Sequence, residues 1–141
     1  MQIDAGIEKF IRAHHVLTLA TIANGLPWCC SCFYAFVPEE KALIFSSDIT
    51  TRHGKEALEN ANVAGSIVLE TRIVGKIQGI QFTGVATFLE GKDAENYRKH
   101  YTSRFPYTML MDLKMWKLEL NYIKMTDNKL GFGKKKIWQR E

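Results

Sequence analysis

The sequence predicts an antiparallel split β-barrel of six or seven strands with two or three flanking helices, a mainly β architecture of the α+β class. Turn signals recur at nearly even spacing, and the segments between them are rich in β-branched and aromatic residues. Most connections are too short for the crossovers that a parallel sheet requires. Several strands are apolar on both faces, so we expect one face to fill the barrel and the other to be covered by helices or a second subunit.

The first elements are a helix, a hairpin and a third strand. Apolar residues at helical spacing within 4–14 predict an amphipathic helix. Asn24-Gly25 is typical of a tight hairpin turn and separates strands expected at 16–23 and 28–37. The third strand is expected at 42–47, where it ends in two hydroxyl residues.

The strand that starts at Met115 changes phase along its length. Apolar residues occupy even positions in 116–120 and odd positions in 123–125. A β-bulge near Asn121 or Tyr122 would account for the shift. The remaining expected elements are a short helix at 55–60 that starts from polar residues 48–51, strands at 63–69 and 76–90 with bends at Gly79 and Gly84, a helix at 93–103, an ambiguous segment at 106–114, and a basic last strand ending at 137–138.

Length and composition restrict the class of protein. The 141 residues, with 46% hydrophobic and 24% charged, suit one domain spanning 1–141. The longest mainly apolar runs are about ten residues, short of the roughly 18 that a membrane helix needs, which predicts a cytoplasmic protein. All three cysteines fall within 29–32, which argues against a secreted disulfide scaffold. We expect these thiols to be buried and inert, and no metal site.

Residues 46–53, Ser46-Ser47-Asp48-Ile49-Thr50-Thr51-Arg52-His53, are the most informative segment. They lie where the third strand ends and a helix begins, so free backbone N–H groups and the positive end of the helix dipole meet hydroxyls and a guanidinium. This chemistry is suited to a phosphate monoester. The alternative is that Thr50 or Thr51 only caps the helix while Arg52 and His53 lie in solvent.

A different class of function is suggested by the basic end of the chain. The net charge is +4, and Lys134, Lys135 and Lys136 precede Trp138. Barrels with exposed aromatic residues can bind single-stranded nucleic acid, in which case affinity would fall steeply with salt. The alternative is that the tryptophans belong to the core and the lysines protect a sheet edge.

The order of segments resembles the pyridoxamine 5'-phosphate oxidase-like, FMN-binding split-barrel superfamily. The resemblance rests on Leu43-Ile44-Phe45-Ser46-Ser47, on Thr51-Arg52-His53 at a helix start, and on Gln78-Gly79-Ile80-Gln81-Phe82-Thr83-Gly84. It covers nearly the whole chain. The ending 123–135, with Arg104-Phe105-Pro106 upstream, looks more specifically like the YhbP-type branch of that superfamily.

This resemblance implies an FMN-binding homodimer with flavins between the subunits, and a flavin-dependent oxidoreductase acting on a small substrate of unknown identity. The phosphate would be held by hydroxyls that close the third strand and by a basic triplet at the helix start. A glutamine of the long strand and an aromatic residue from the partner chain often touch the flavin in this superfamily. The matching positions here are Ser46, Ser47, Thr51, Arg52, His53, Gln78 or Gln81, and Trp116.

Two departures from the family pattern qualify the implied activity. His53 replaces the lysine of the family triplet, so its charge would depend on pH near neutrality. The segment 27–37 contains no arginine or lysine, whereas oxidases of pyridoxamine phosphate carry basic residues on that strand. We therefore do not expect genuine pyridoxamine phosphate oxidase activity. A split barrel without flavin, serving as an interaction or binding module, is the alternative.

Overall fold

The computed structural model describes all 141 residues and contains seven strands and three α-helices. The connections include short 3₁₀ helices, among them Val74–Lys76 and Pro106–Leu110. In chain order the main elements are α1 (Ala5–Ala13), β1 (Val16–Ala23), β2 (Leu26–Val37), β3 (Ala42–Ser46), α2 (Arg52–Glu59), β4 (Asn62–Val68), β5 (Gln78–Phe88), α3 (Gly91–Arg104), β6 (Met115–Asp127) and β7 (Lys135–Gln139).

Six of the strands close into a ring. The sheet order is β3-β2-β1-β4-β5-β6-β7, and β3 also pairs with β6. One edge of β6 is shared: its residues 115–119 pair with β3, whereas its residues 122–126 pair with β7. All pairings are antiparallel. The predicted antiparallel split barrel is therefore confirmed.

The predicted bulge in β6 is present at Asn121. Thr83 of β5 lies opposite Tyr122, while the next residue, Gly84, lies opposite Leu120, so Asn121 has no partner. The strands approach closely here, since a Cβ at Gly84 would lie 2.3 Å from the carbonyl oxygen of Glu119. The absence of a side chain at Gly84 allows this approach and the register shift that follows.

Several predicted boundaries differ from the structure by a few residues. Strand β2 begins at Leu26, two residues before the expected start, because Asn24 and Gly25 have φ values of 52° and 74° and form the complete turn. Lys76 lies in a 3₁₀ helix, so β5 is shorter than the predicted 76–90. The ambiguous segment 106–114 starts with a second 3₁₀ helix.

The core fills the interior of the ring, and all three helices pack against the sheet. The main cluster of 23 buried residues includes Ile7 and Ile11 of α1 and Ala57 of α2. A second cluster lies under α3, where Tyr101 and Phe105 are buried. None of the helices combines the length and the apolar character needed to span a bilayer.

Over strands β1, β2, β4 and β5, one outer face of the sheet carries no charged residue, and it is bordered on β6 by Lys124, which lies opposite Gln81. It comprises the even positions of 16–22, the odd positions of 27–33, the even positions of 62–68 and the odd positions of 79–87, which the strand register places side by side. Val16, Ile22 and Phe33 on this face are 42–48% exposed. We call this surface the uncharged face. The solvated face of an antiparallel sheet usually carries polar and charged residues, so the composition of the uncharged face is unusual.

Candidate functional site

The loop between β3 and α2 is held by a set of local hydrogen bonds. Thr51 caps α2: its Oγ1 accepts a hydrogen bond from the Gly54 N–H at 3.1 Å and donates to the Asp48 carbonyl at 2.7 Å. The Asp48 carboxylate accepts from the backbone N–H and the hydroxyl of Thr50, both at 2.8 Å. These bonds keep the pKa of Asp48 below its ordinary value. Thr51 therefore caps the helix, as one of the two interpretations of residues 46–53 predicts.

Two backbone donors at the start of α2 have no acceptor within the chain. The Thr51 hydroxyl takes the Gly54 N–H, whereas the N–H groups of Arg52 and His53 are in no hydrogen bond. The Ser47 hydroxyl lies beside them, because Ser47 Oγ and His53 Nε2 are hydrogen-bonded. Free donors at the positive end of a helix favour an anion. The capping arrangement therefore leaves the anion-binding chemistry in place.

Arg52 is oriented by two neighbours. Its Nε donates to Glu56 Oε1 at 3.0 Å, and its guanidinium carbon lies 4.1 Å from the centre of the Trp28 ring. Glu56 also accepts a hydrogen bond from the Thr21 hydroxyl at 2.6 Å. The hydrogen bonds from Thr21 and Arg52 hold the Glu56 pKa below its ordinary value. The two terminal nitrogens of Arg52 remain available to a ligand, and the side chain is 50% exposed.

The charge of the site depends on Arg52 rather than on His53. Burial lowers the pKa of His53, and the nearby Glu56 carboxylate only partly opposes this. An imidazole whose pKa lies below its usual value is neutral at pH 7. It can still donate one hydrogen bond, here beside the hydroxyls of Ser47 and Thr51. The guanidinium and the helix N–H groups supply the positive potential.

Two thiols lie beside His53. The side chains of Cys30 and Cys32 point to the same side of β2, with Sγ atoms 3.8 Å apart, and one ring nitrogen of His53 lies within 4.8 Å of both. The two thiols share a hydrogen bond in which either sulfur can be the donor. This bond lowers the pKa of Cys30, and the same bond together with burial raises the pKa of Cys32. The prediction that all three thiols are buried is wrong for Cys29, which alternation along β2 turns outward, so that it is exposed on the uncharged face.

The remaining predicted site residues are not part of this cluster. Ser46 Oγ accepts from the Lys114 N–H at 3.2 Å. Trp116 is 1% exposed and donates from Nε1 to the Ser47 carbonyl at 2.8 Å, so it supports the loop from the core and offers no ring surface to a ligand. Gln78 donates to Asp127 at 3.0 Å, at the opposite end of β5 from Phe88, which pairs with Trp116. Gln81 points outward on the uncharged face.

Sequence reasoning identified Ser47, Thr51, Arg52 and His53 as one group, and the structure brings them together. It missed the residues that orient them. The spacing of Arg52 and Glu56, four positions apart on a helix, is the one signal that could have suggested their ion pair. Nothing in the sequence spacing predicts that Trp28 contacts Arg52 or that Cys30 and Cys32 approach His53.

Comparison with known proteins identifies the family of this chain. Residues 3–127 match the family model described as pyridoxamine 5'-phosphate oxidase. The chain belongs to the pyridoxamine 5'-phosphate oxidase-like split-barrel family. Within this family, it is 44% identical over 134 residues to a UPF0306 protein of Photorhabdus laumondii, covering 95% of this chain and 94% of that protein.

Solved structures of the pyridoxamine 5'-phosphate oxidase-like fold differ in the ligands they are named for. A FAD-binding protein from Mesorhizobium loti superposes with a TM-score of 0.72 at 14% identity, covering 87% of this chain and 94% of that one. A heme-binding protein from Mycobacterium smegmatis gives a TM-score of 0.73 at 20% identity, covering 99% of this chain and 59% of that one. At these identities the likeness shows the fold alone.

Proposed function

We propose that this chain binds FMN at the junction of β3 and α2 and acts as a flavin-dependent oxidoreductase on a small substrate. The observation that carries the proposal is the pair of free N–H groups at Arg52 and His53, beside the Ser47 hydroxyl and the Arg52 guanidinium. Two further points support the proposal. The phosphate of FMN is an anion of the size and charge that such a helix start accommodates, and the chain belongs to the pyridoxamine 5'-phosphate oxidase-like family. We also propose that the chain belongs to the YhbP-type branch of the family, which the sequence of residues 123–135 resembles.

The residues present fit a phosphate group. Its oxygens would accept hydrogen bonds from the N–H groups of Arg52 and His53, from the Ser47 hydroxyl and from the terminal nitrogens of Arg52. FMN, when bound, supplies the electron and hydride chemistry. The chain supplies binding, orientation and exclusion of water, and no side chain near the junction is required as a general acid or base.

We further propose that the chain is a homodimer formed through the uncharged face. This surface spans four strands without a charged residue, and Val16, Ile22 and Phe33 expose apolar area on it. Burial against a second copy would remove that area from water. Gln81 lies on this face, so dimerisation would place its amide at the subunit interface.

The two alternative functions have less support from the structure. Of the three tryptophans, Trp116 and Trp138 are buried and only Trp28 is partly exposed, so the tryptophans do not form a row of stacking platforms for nucleic acid. Lys136 is paired with Asp4 at 3.0 Å. Strand β2 carries no arginine or lysine, so a substrate with its own phosphate, such as pyridoxamine phosphate, would find no cation there. Three free cysteines suit the cytoplasm, which we propose as the compartment.

Titration of the purified protein with FMN tests this function. Saturable quenching of FMN fluorescence is expected, with weaker binding of riboflavin because it lacks the phosphate. Hemin is titrated in parallel and followed by its Soret band, since a structural relative is named for heme. Absence of FMN binding at saturating concentration would overturn the proposal, and tight hemin binding without FMN binding would replace it.

A further inference from the structure

The thiols of Cys30 and Cys32, together with His53, form a cluster that the proposed flavin chemistry does not use. Strand β2 and helix α2 bring them together from positions more than twenty residues apart in the sequence. Cys32 is buried and the other two are half-buried. Soft sulfur ligands and an imidazole in one place are the donor set that thiophilic d¹⁰ cations prefer.

The spacing of the donor atoms matches a metal site. A tetrahedral Zn²⁺ with Zn–S bonds of about 2.3 Å places two sulfurs about 3.8 Å apart. The Cys30 and Cys32 Sγ atoms are 3.8 Å apart, and a His53 nitrogen lies within 4.8 Å of both, so small side-chain adjustments would bring all three donors onto one ion. Alternation along the strand explains the pair, because residues two apart share a face.

The neighbours of the cluster orient the imidazole and bear on which cation the cluster could bind. The Ser47 and Thr51 hydroxyls contact His53 Nε2 and fix the orientation of the ring; Nδ1 makes no hydrogen bond within the chain and would be the nitrogen that binds the ion. No carboxylate belongs to the cluster, which argues against hard cations such as Mg²⁺ and Ca²⁺.

We propose that Cys30, Cys32 and His53 form a three-ligand site for Zn²⁺, with the fourth coordination position left to water or another ligand. Binding is an exchange of ligands without redox change: hydrated Zn²⁺ loses coordinated water, gains two Zn–S bonds and one Zn–N bond, and the two thiol protons pass to the solvent. The site goes beyond the proposed flavin binding and does not depend on it, although His53 is common to both.

Cobalt substitution tests this site in the full-length protein. Protein that has been reduced and treated with a chelator is titrated anaerobically with Co²⁺, and then with Zn²⁺ in competition. One Co²⁺ per chain, with thiolate-to-cobalt charge-transfer bands and the visible bands of tetrahedral Co²⁺, is expected. Zn²⁺ should abolish these bands. Absence of charge-transfer bands would overturn the proposal.

Two variants of the same strand separate this site from adventitious binding to a thiol. Cys30→Ser should weaken the metal more than about 100-fold, beyond the loss that outer-shell changes alone cause. Cys29→Ser, on the opposite face, should bind Co²⁺ as the wild type does. Equal losses in the two variants, or a loss only in Cys29→Ser, would contradict the assignment.

Two further measurements distinguish loss of the metal site from misfolding of the variant and from failure of the flavin proposal. In the wild-type chain, Zn²⁺ should slow alkylation of the half-buried Cys30 relative to the metal-free protein and leave the reactivity of Cys29 unchanged, as located by mass spectrometry; an unchanged reactivity of Cys30 would contradict the site. FMN affinity is measured on the same Cys30→Ser protein. Retained FMN binding with lost Co²⁺ binding supports two separate functions, and Co²⁺ binding by a chain that fails to bind FMN leaves the metal site standing alone.

Discussion

The Arg52→Ala substitution combined with removal of the ligand phosphate gives a direct estimate of the contact between Arg52 and FMN. Affinities are measured for wild type and Arg52→Ala with FMN and with riboflavin. A hydrogen bond to a charged group contributes about 1.5–3 kcal/mol. Because the Arg52 side chain is 50% exposed, we expect the lower end of that range. A loss of about 1.5 kcal/mol corresponds to an FMN dissociation constant that is about tenfold higher in Arg52→Ala than in the wild type.

The riboflavin arm shows whether the loss comes from the phosphate. Riboflavin affinity should be the same in wild type and Arg52→Ala, because the phosphate is the only group that Arg52 is expected to contact. Lys55→Ala, an exposed neighbour on α2, removes the same charge without a local contact and should change FMN affinity by less than about twofold at physiological salt. Equal losses for FMN and riboflavin, or an unchanged FMN affinity in Arg52→Ala, would refute the assignment of Arg52 to the phosphate.

Three further predictions concern stability and assembly. Gly84→Ala should lower the free energy of unfolding, measured by urea titration, by about 1–3 kcal/mol, because the added Cβ would meet a backbone carbonyl of β6. Gly75→Ala, with open space around its Cβ, should be nearly neutral in the same assay. Equal effects of the two substitutions would contradict the close approach of the strands at Gly84. Hydrogen bonds from Lys117 and Tyr97 lower the pKa of Glu40 in the folded chain. The unfolded chain therefore takes up this proton at a higher pH than the folded chain does, so the stabilisation is complete above pH 4.5 and is lost as the pH falls below it. The free energy of unfolding at about pH 7 and about pH 4 should show this loss in the wild type and a smaller loss in Lys117→Met, and an equal loss in both would disprove it. Ala64→Glu, which places a charge on the uncharged face, should convert a dimer into a monomer in sedimentation velocity; a dimer that persists in this variant would place the interface elsewhere.

Much of the fold could be predicted from local patterns. The turn at Asn24-Gly25, the helical spacing within α1 and the phase change at Asn121 each depend on residues close together in the sequence, and each is confirmed. The closure of the ring by β3 and β6 could not be read in the same way, because it joins segments about 70 residues apart whose apolar alternation is compatible with several partners.

The candidate site shows the same division. Ser47, Thr51, Arg52 and His53 are neighbours in the chain, and the chemistry of a helix start follows from their order. The burial of Trp116 could not be predicted, because alternation places a side chain on one face of a strand without indicating whether that face contacts a ligand or the core. The approach of Cys30 to His53 depends on how α2 packs against β2, which no local pattern records.

The backbone amides of Arg52 and His53 provide the most direct test of the anion site. In a two-dimensional ¹H–¹⁵N NMR spectrum of the labelled protein, FMN and, more weakly, inorganic phosphate should shift these two amide signals saturably, with downfield changes typical of N–H groups that gain an acceptor. Riboflavin should leave them nearly unchanged. Saturable FMN binding in which these two signals stay in place while others move would show that the phosphate is held elsewhere.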